Sequence, residues 1–162
     1  MFSQMYISAI GQDSHRFEPV GSSKPLILGG VQLTGQRGLM GNSDADVILH
    51  AITNAVSGIS GVNILGKVSD DLCLKQGIID SRVYLCEALK TLGEWKLSHV
   101  SISIEARRPH LAEHIEEIRN SIAVLLSLAA ENIGLTATSG EGLTEFGKGE
   151  GIQVFVIVSA YK

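Results

Sequence analysis

Aromatic side chains are scarce in this chain, 5% of 162 residues against 44% hydrophobic residues overall. The interior must therefore be aliphatic, built from Val, Ile, Leu and Ala, and the length suffices for one domain over residues 1–162 with a substantial core. Basic clusters are missing too. Net charge is −4, and Arg107-Arg108 is the nearest approach to a cationic run, so neither nucleic acid nor an anionic membrane is an expected partner. Cysteine is limited to Cys73 and Cys86, with no C-x-x-C, which reads as reduced thiols in a cytoplasmic protein rather than a disulfide framework. No apolar run approaches the length of a membrane span. The start, MFSQMYISAIG, lacks the basic and apolar regions of a signal peptide.

What is present has the punctuation of a mixed α/β chain. Residues 5–11 and 25–33 read as strands, with Gly29-Gly30 marking a bulge or bend. Ser43 is the expected N-cap of a helix with Asp46 three positions on, followed by Val47, Ile48, Ala51, Ile52, Ala55, Val56 and Ile59 at helical period. A second helix follows Asp80-Ser81 and stops at Gly93. Val100, Ile102 and Ile104 alternate with polar residues in a strand. Pro109 is expected to open a third helix through Leu111, Ile115, Ile118, Ile122 and Leu125. Residues 133–138 form a strand, and IQVFVIVSA is apolar enough to predict burial of both faces, partly by another subunit. The order ββααβαββ predicts an α+β fold, a single mixed domain with a β-sheet packed on helices.

Chemistry gathers first at GQDSHRF. Asp13 and His15 stand at i and i+2, so in an extended segment both side chains point the same way and can reach one ion. The alternative is a pair of ordinary loop residues near a strand end. A carboxylate and an imidazole suit zinc, and a catalytic zinc takes a third protein ligand while keeping one position open. His50, at the edge of the first helix's apolar face, can be that ligand or a partly buried histidine with a hydrogen-bond partner. Asp46, four residues earlier, is a candidate for that partner. His99, His110 and His114 lie on polar faces or at a helix entry.

The second concentration is TATSGEGLTEFGKGEGI, residues 136–152. Gly142, Gly147 and Lys148 mimic the start of a P-loop, but Gly149 replaces the hydroxyl residue and a strand follows instead of a helix, so it is not one. Thr138, Ser139 and Lys148 still offer groups for phosphate. Glu141 among them would need a bridging cation such as magnesium. The competing reading is a flexible hairpin with scattered polar residues.

Taken together the chain resembles the 2-C-methyl-D-erythritol 2,4-cyclodiphosphate synthase family of non-mevalonate isoprenoid biosynthesis, from about residue 8 to the C-terminus. The family's Asp-x-His is Asp13-Ser14-His15, its glycine pair is Gly29-Gly30, and its HSDGDVALHAL is NSDADVILHAI. Its ADSR is IDSR, and TTTEKLGFTGRGEGI is matched by TSGEGLTEFGKGEGI. The resemblance implies a homotrimer with active sites between subunits. It implies conversion of 4-diphosphocytidyl-2-C-methyl-D-erythritol 2-phosphate to the cyclic diphosphate with release of CMP. It places Zn2+ or another divalent transition metal on Asp13, His15 and His50, and Mg2+ or Mn2+ with Glu141 and the substrate phosphates. Asn42 and Ser139 take catalytic roles. The substrate is held by Ser14, Asn42 and Ser43, and by Thr138, Ser139, Gly140, Glu145 and Lys148. The segment Ala106, Arg107, Arg108, Pro109, His110, Leu111 and Ala112 cradles cytosine, largely through its backbone.

Departures from the family fall on substrate handling. Asn42 stands where the family has histidine and donates a hydrogen bond without adding charge. Gly-Asp-Ile-Gly has become Asn63-Ile64-Leu65-Gly66, without the aspartate expected to hold a substrate hydroxyl. Phe-Pro-Asp-Thr-Asp reads Ser69-Asp70-Asp71-Leu72-Cys73, so an acid there is expected to inherit that contact. Lys148 replaces an arginine that faces the trimer's central cavity and lacks its bidentate fork. The altered 63–73 segment leaves two alternatives: a related metal-dependent phosphohydrolase or phosphodiesterase, and a non-catalytic trimer that binds isoprenoid diphosphates.

Overall fold

In a computed structural model that describes residues 4–162, strand β1 (Tyr6–Arg16) continues past residue 11 and carries Asp13 and His15 within it. Its inward positions, Ile7, Ala9, Gly11, Asp13 and His15, share one face, as period-2 geometry requires. The stretch 25–33 is not one strand but a hairpin, β2 (Pro25–Leu28) with β3 (Val31–Arg37), turning at Gly29-Gly30. Both glycines have positive φ, 61° and 79°, which is why the chain reverses there instead of bulging.

Helix α1 (Val47–Ser60) starts four residues later than its Ser43 signal. Ser43 Oγ accepts from Ala45 N, Asp44 accepts from Asp46 N, and Ala45 is left-handed at φ 55°, so residues 43–46 form a turn. Asp46 is the N-cap, accepting from Leu49 N. The helix is buried on most of its circumference, and at Gly61 it ends in a left-handed cap. A short helical stretch, α2 (Lys67–Asp70), continues into a π-turn through Lys75, and α3 (Ser81–Lys90) is capped by Asp80.

Strand β4 (Lys96–Glu105) leads by way of α4 (Ile115–Leu126) to the parallel strand β5 (Ile133–Thr138). Pro109 does not open α4. Ala106 N donates to Thr138 O and Arg107 N to Phe146 O, which ties residues 106–107 to the glycine-rich loop, and the helix begins only at Ile115. That loop is built from helical turns rather than a hairpin. It contains the one-turn α5 (Glu145–Lys148), capped by Thr144, before β6 (Gly151–Tyr161).

The sheet order is β1-β6-β4-β5, with β6 antiparallel to both neighbours. One face of β6 (Ile152, Val154, Val156, Val158, Ala160) joins a continuous aliphatic core with α1, α3 and α4. The other face is not buried within the chain: Phe155 and Ile157 are 42% and 48% exposed, beside Ile10 at 65% and Tyr6 at 72%. Among the described residues, no helix is long and apolar enough to cross a membrane.

Candidate metal centre and substrate clefts

A close contact between backbones builds the centre. A Cβ on Gly11 would lie 2.0 Å from Ala51 O and 2.4 Å from Ala55 N, so only glycine lets α1 settle this deeply on β1. His50, adjacent to Ala51, is thereby brought over Asp13 and His15. Asp13 Oδ2 is 2.9 Å from His15 Nε2 and 3.0 Å from His50 Nδ1, and the two ring nitrogens are 3.2 Å apart. The edge of a tetrahedron of zinc–ligand bonds is about 3.3 Å, so the three donors already stand near the spacing of one shared ion. This Asp/His/His group can hold a metal ion.

The electrostatics fit a ligand set. Burial raises the Asp13 carboxyl, but hydrogen bonds and charge from His15 and His50 outweigh it and bring it to about 2. Burial depresses His15, and the Asp13 carboxylate more than compensates, leaving it above the usual histidine value. Its Nδ1 sits 2.7 Å from Met40 O, which fixes Nδ1–H as a donor and turns Nε2 toward the centre.

Asp46 is not the partner of His50. Its carboxylate, fully buried, accepts from Gly29 N (2.9 Å), Gly30 N (2.7 Å) and Leu49 N (3.0 Å), locking the β2–β3 turn to the helix start. The partner is Ser81, whose Oγ lies 2.8 Å from His50 Nε2. Neither Ser81 nor Asp44, which Ser81 contacts in turn, was singled out by residue pattern. The only signal for them is that both lie in the shared NSDAD and IDSR segments.

Beside the three donors is a cleft of about 150 Å³ that His15 and His50 share with Asn42, Ser43, Leu65, Ser69, Asp70, Cys73, Gly41 and Tyr84. Of the substrate-binding residues expected here, Ile64 instead lies in the core, 5% exposed. Leu72 packs against that core, and Asp71 turns away to Lys75 at 2.7 Å. Gly66 N is taken by Ser69 Oγ at 3.0 Å. Asn42 is exposed, and its carbonyl accepts from the Cys73 thiol.

A second cavity, about 480 Å³, is lined by Ala106, Arg107, Pro109, His110, Leu111, Ala112, Leu135, Thr138 and Ser139. Arg108 is not part of that lining; its guanidinium lies over Gly149. Ser139 Oγ is 3.3 Å from Glu141 Oε1, and Glu141 is held at φ 52°. Glu145 and Lys148 pair with each other at 2.7 Å on the surface. Ser14 alternates to the other face of β1 from Asp13 and His15, and borders a hollow that His15, Arg16, Glu145, Phe146 and Glu150 also line. These two cavities, the metal cleft and the one along β5, share no lining residue among the described residues. Strand order explains why: His15 stands on β1 at one edge of the sheet and Thr138 on β5 at the other. Three strand spacings, ~14 Å, also separate β1 from β5.

Known proteins place this arrangement. The YgbB family model matches residues 6–161. The 2-C-methyl-D-erythritol 2,4-cyclodiphosphate synthase of Chlamydia caviae is 46% identical over 156 residues, 96% of this chain and 89% of that protein. The structure of the bifunctional IspDF from Campylobacter jejuni matches with a TM-score of 0.87 at 30% identity; 98% of this chain is covered, and it spans 43% of that longer protein. A CDP-bound structure of 2C-methyl-D-erythritol-2,4-cyclodiphosphate synthase matches with a TM-score of 0.75 at 30% identity, over 94% of this chain and 98% of the other.

Proposed function

The chain belongs to the YgbB family, and from that premise we propose that it is a lyase closing 2-C-methyl-D-erythritol 2,4-cyclodiphosphate. The substrate is 4-diphosphocytidyl-2-C-methyl-D-erythritol 2-phosphate. An oxygen of the 2-phosphate attacks the β-phosphorus, the bond from that phosphorus to the oxygen bridging it to the α-phosphate breaks, and CMP leaves. The observation that carries this reading is the convergence of Asp13, His15 and His50 beside a cleft that Asn42, Ser43, Ser69 and Asp70 help to line. The relatives favour it over a hydrolase or a non-catalytic binder, since they are named for the synthase reaction.

When bound, a divalent transition metal such as zinc at Asp13, His15 and His50, and magnesium or manganese with Glu141 and the substrate phosphates, supply the positive charge a diphosphate reaction centre demands. The chain's own groups position the reactants, which is most of the work in phosphoryl transfer. Asn42 and Ser43 offer donors to phosphate oxygens from the loop before α1. Thr138 and Ser139 do the same at the end of β5. The 106–112 segment receives the cytosine, a role in keeping with the CDP bound by a relative. Asp70 lines the metal cleft while Asp71 is engaged by Lys75, so Asp70 is the acid assigned to the erythritol hydroxyl.

One substrate must touch both cavities, yet within a chain they lie on opposite edges of the sheet. The site is therefore assembled from the metal cleft of one copy and the nucleotide cavity of another, in a homotrimer packed through the exposed apolar face of β1 and β6. The test is incubation with the cytidine diphosphate substrate and magnesium, followed by phosphorus NMR. The expected products are the cyclic diphosphate and CMP in equal amounts. A linear phosphorylated product would assign a hydrolase instead.

A further inference from the structure

His50 is held from behind as well as in front. Its Nδ1 faces the metal donors, and its Nε2 lies 2.8 Å from Ser81 Oγ. Ser81 is the first residue of α3 and fully buried. Its hydroxyl makes a short hydrogen bond to Asp44 Oδ1, and its backbone N–H donates to Asp44 Oδ2 at 3.1 Å. Asp44 Oδ1 also accepts from Asp46 N at 3.1 Å, so this carboxylate is fixed by the turn that precedes α1.

The direction of this chain of bonds is dictated by its members. An ionised carboxylate only accepts, so the single hydroxyl proton of Ser81 goes to Asp44. Ser81 Oγ is then left with lone pairs toward His50 and can only accept there. The Nε2 nitrogen must carry the hydrogen, which leaves the Nδ1 lone pair free and aimed at Asp13 and His15. Serine replaced by a residue without a hydroxyl would leave a buried N–H unpaired and the ring free to rotate or change tautomer.

We propose that Ser81 and Asp44 are positioning residues for the metal centre: Asp44 orients the Ser81 hydroxyl, and Ser81 selects the tautomer and aim of His50. The inference rests on the reading of Asp13, His15 and His50 as ligands. It adds two residues from a different helix and a different loop to the machinery, neither of which touches substrate or metal. Buried hydrogen-bond partners of ligating histidines typically contribute tenfold to a hundredfold in metal affinity.

The experiment measures zinc affinity of the full chain by competition with a chromophoric chelator, together with the visible absorption spectrum of the Co2+-substituted protein. Ser81→Ala should bind zinc tenfold to a hundredfold more weakly and shift the cobalt bands, while Ser81→Thr, which keeps the hydroxyl, should stay within a few-fold of the parent. Asp44→Asn should also weaken zinc, because its amide can donate to Ser81 Oγ and reverse the chain of bonds. Circular dichroism establishes that each variant is folded. Should Ser81→Ala not fold, the Ser81→Thr and Asp44→Asn pair decides: equal, parent-like affinity and spectra in both would overturn the relay. Parent-like affinity and spectrum in a folded Ser81→Ala would overturn it outright. If the parent itself binds no zinc or cobalt while His50→Ala behaves identically, the metal reading fails, and the relay fails with it.

Discussion

Asp13 Oδ2 and His50 Nδ1 stand 3.0 Å apart although 37 residues separate them in the chain. Nothing in either side chain brings this about. It follows from Gly11, where helix and strand backbones approach too closely for any Cβ.

Gly11→Ala should therefore act on the site from a distance. The methyl group would meet backbone rather than a yielding side chain, so α1 must shift off β1, at a cost of about 1–3 kcal/mol or more. The expected result is a lower thermal midpoint together with weakened metal binding. Differential scanning fluorimetry and metal titration on the same samples check it, and unchanged values for both would mean that the helix position does not depend on this glycine.

Metal binding should weaken on acidification sooner than for an ordinary histidine site. Burial opposes protonation of His15, but Asp13 overcomes it, so the folded, metal-free protein holds this proton above the ordinary histidine value of 6.5. A proton on Nε2 must leave before a metal can bind. Apparent affinity should thus begin to fall as pH drops through that raised value, and Asp13→Asn should move the fall to lower pH while also weakening binding at neutral pH. Competition titrations at a series of pH values read both effects.

Asp46 gives a stability prediction with an opposite sign. Its carboxyl is pushed up by burial to about 6 in spite of three backbone hydrogen bonds. A carboxyl raised above its unfolded value contributes stability that is full below that unfolded value, 3.8, and is lost as pH rises through 6. Asp46→Asn should abolish this dependence. It should also destabilise the protein by about 1–3 kcal/mol, because an amide N–H would face a backbone N–H that the second carboxylate oxygen now accepts. Urea unfolding from pH 4 to 8 separates the two effects.

Sequence pattern reached the three clustered donors, Asp13, His15 and His50, better than their surroundings. The i, i+2 spacing of Asp13 and His15 needs only an extended chain, and β1 supplies it. His50 was legible as a histidine at the margin of an apolar stripe. Ser81 and Asp44 were not, because a serine after Asp80 reads simply as a helix start, and contact across 37 residues leaves no local periodicity. The misplaced start of α1 has a similar origin. Ser43, Asp44 and Asp46 are all good caps, and the left-handed Ala45 between them decides the competition in three dimensions. At Pro109, the hydrogen bonds that hold residues 106–107 to the glycine-rich loop outweighed a local helix signal.

The apolarity of β6 was legible, but its pattern could not say that one face would find its cover inside the chain and the other outside. Ile157 pairs with Ile10 on the outer face, where both are exposed. If that face packs on symmetry mates, Ile157→Glu should prevent assembly by placing a carboxylate in an apolar interface. Analytical ultracentrifugation should find a trimer for the parent and a folded monomer for the variant, with turnover lost. A fully active monomer would contradict a site shared between copies.

Asn42 offers the sharpest test of how this chain manages the reaction. It lines the metal cleft, but α1 begins five residues later, so the helix dipole, which acts within the first turn, reaches this position only weakly. Whatever it gives a phosphate must come from its side-chain amide, a neutral donor throughout the working pH range. Asn42→Ala should lower kcat by roughly tenfold to a hundredfold, about 1.4–2.7 kcal/mol of transition-state stabilisation, with zinc content unchanged because the residue is not a ligand. Asn42→His should keep most of the activity and introduce a titration near the histidine pKa that the parent lacks. Steady-state kinetics across pH, with metal analysis of each variant, distinguish these outcomes. Normal turnover in Asn42→Ala would transfer the donor role to Ser139 or Lys148, the next side chains to replace.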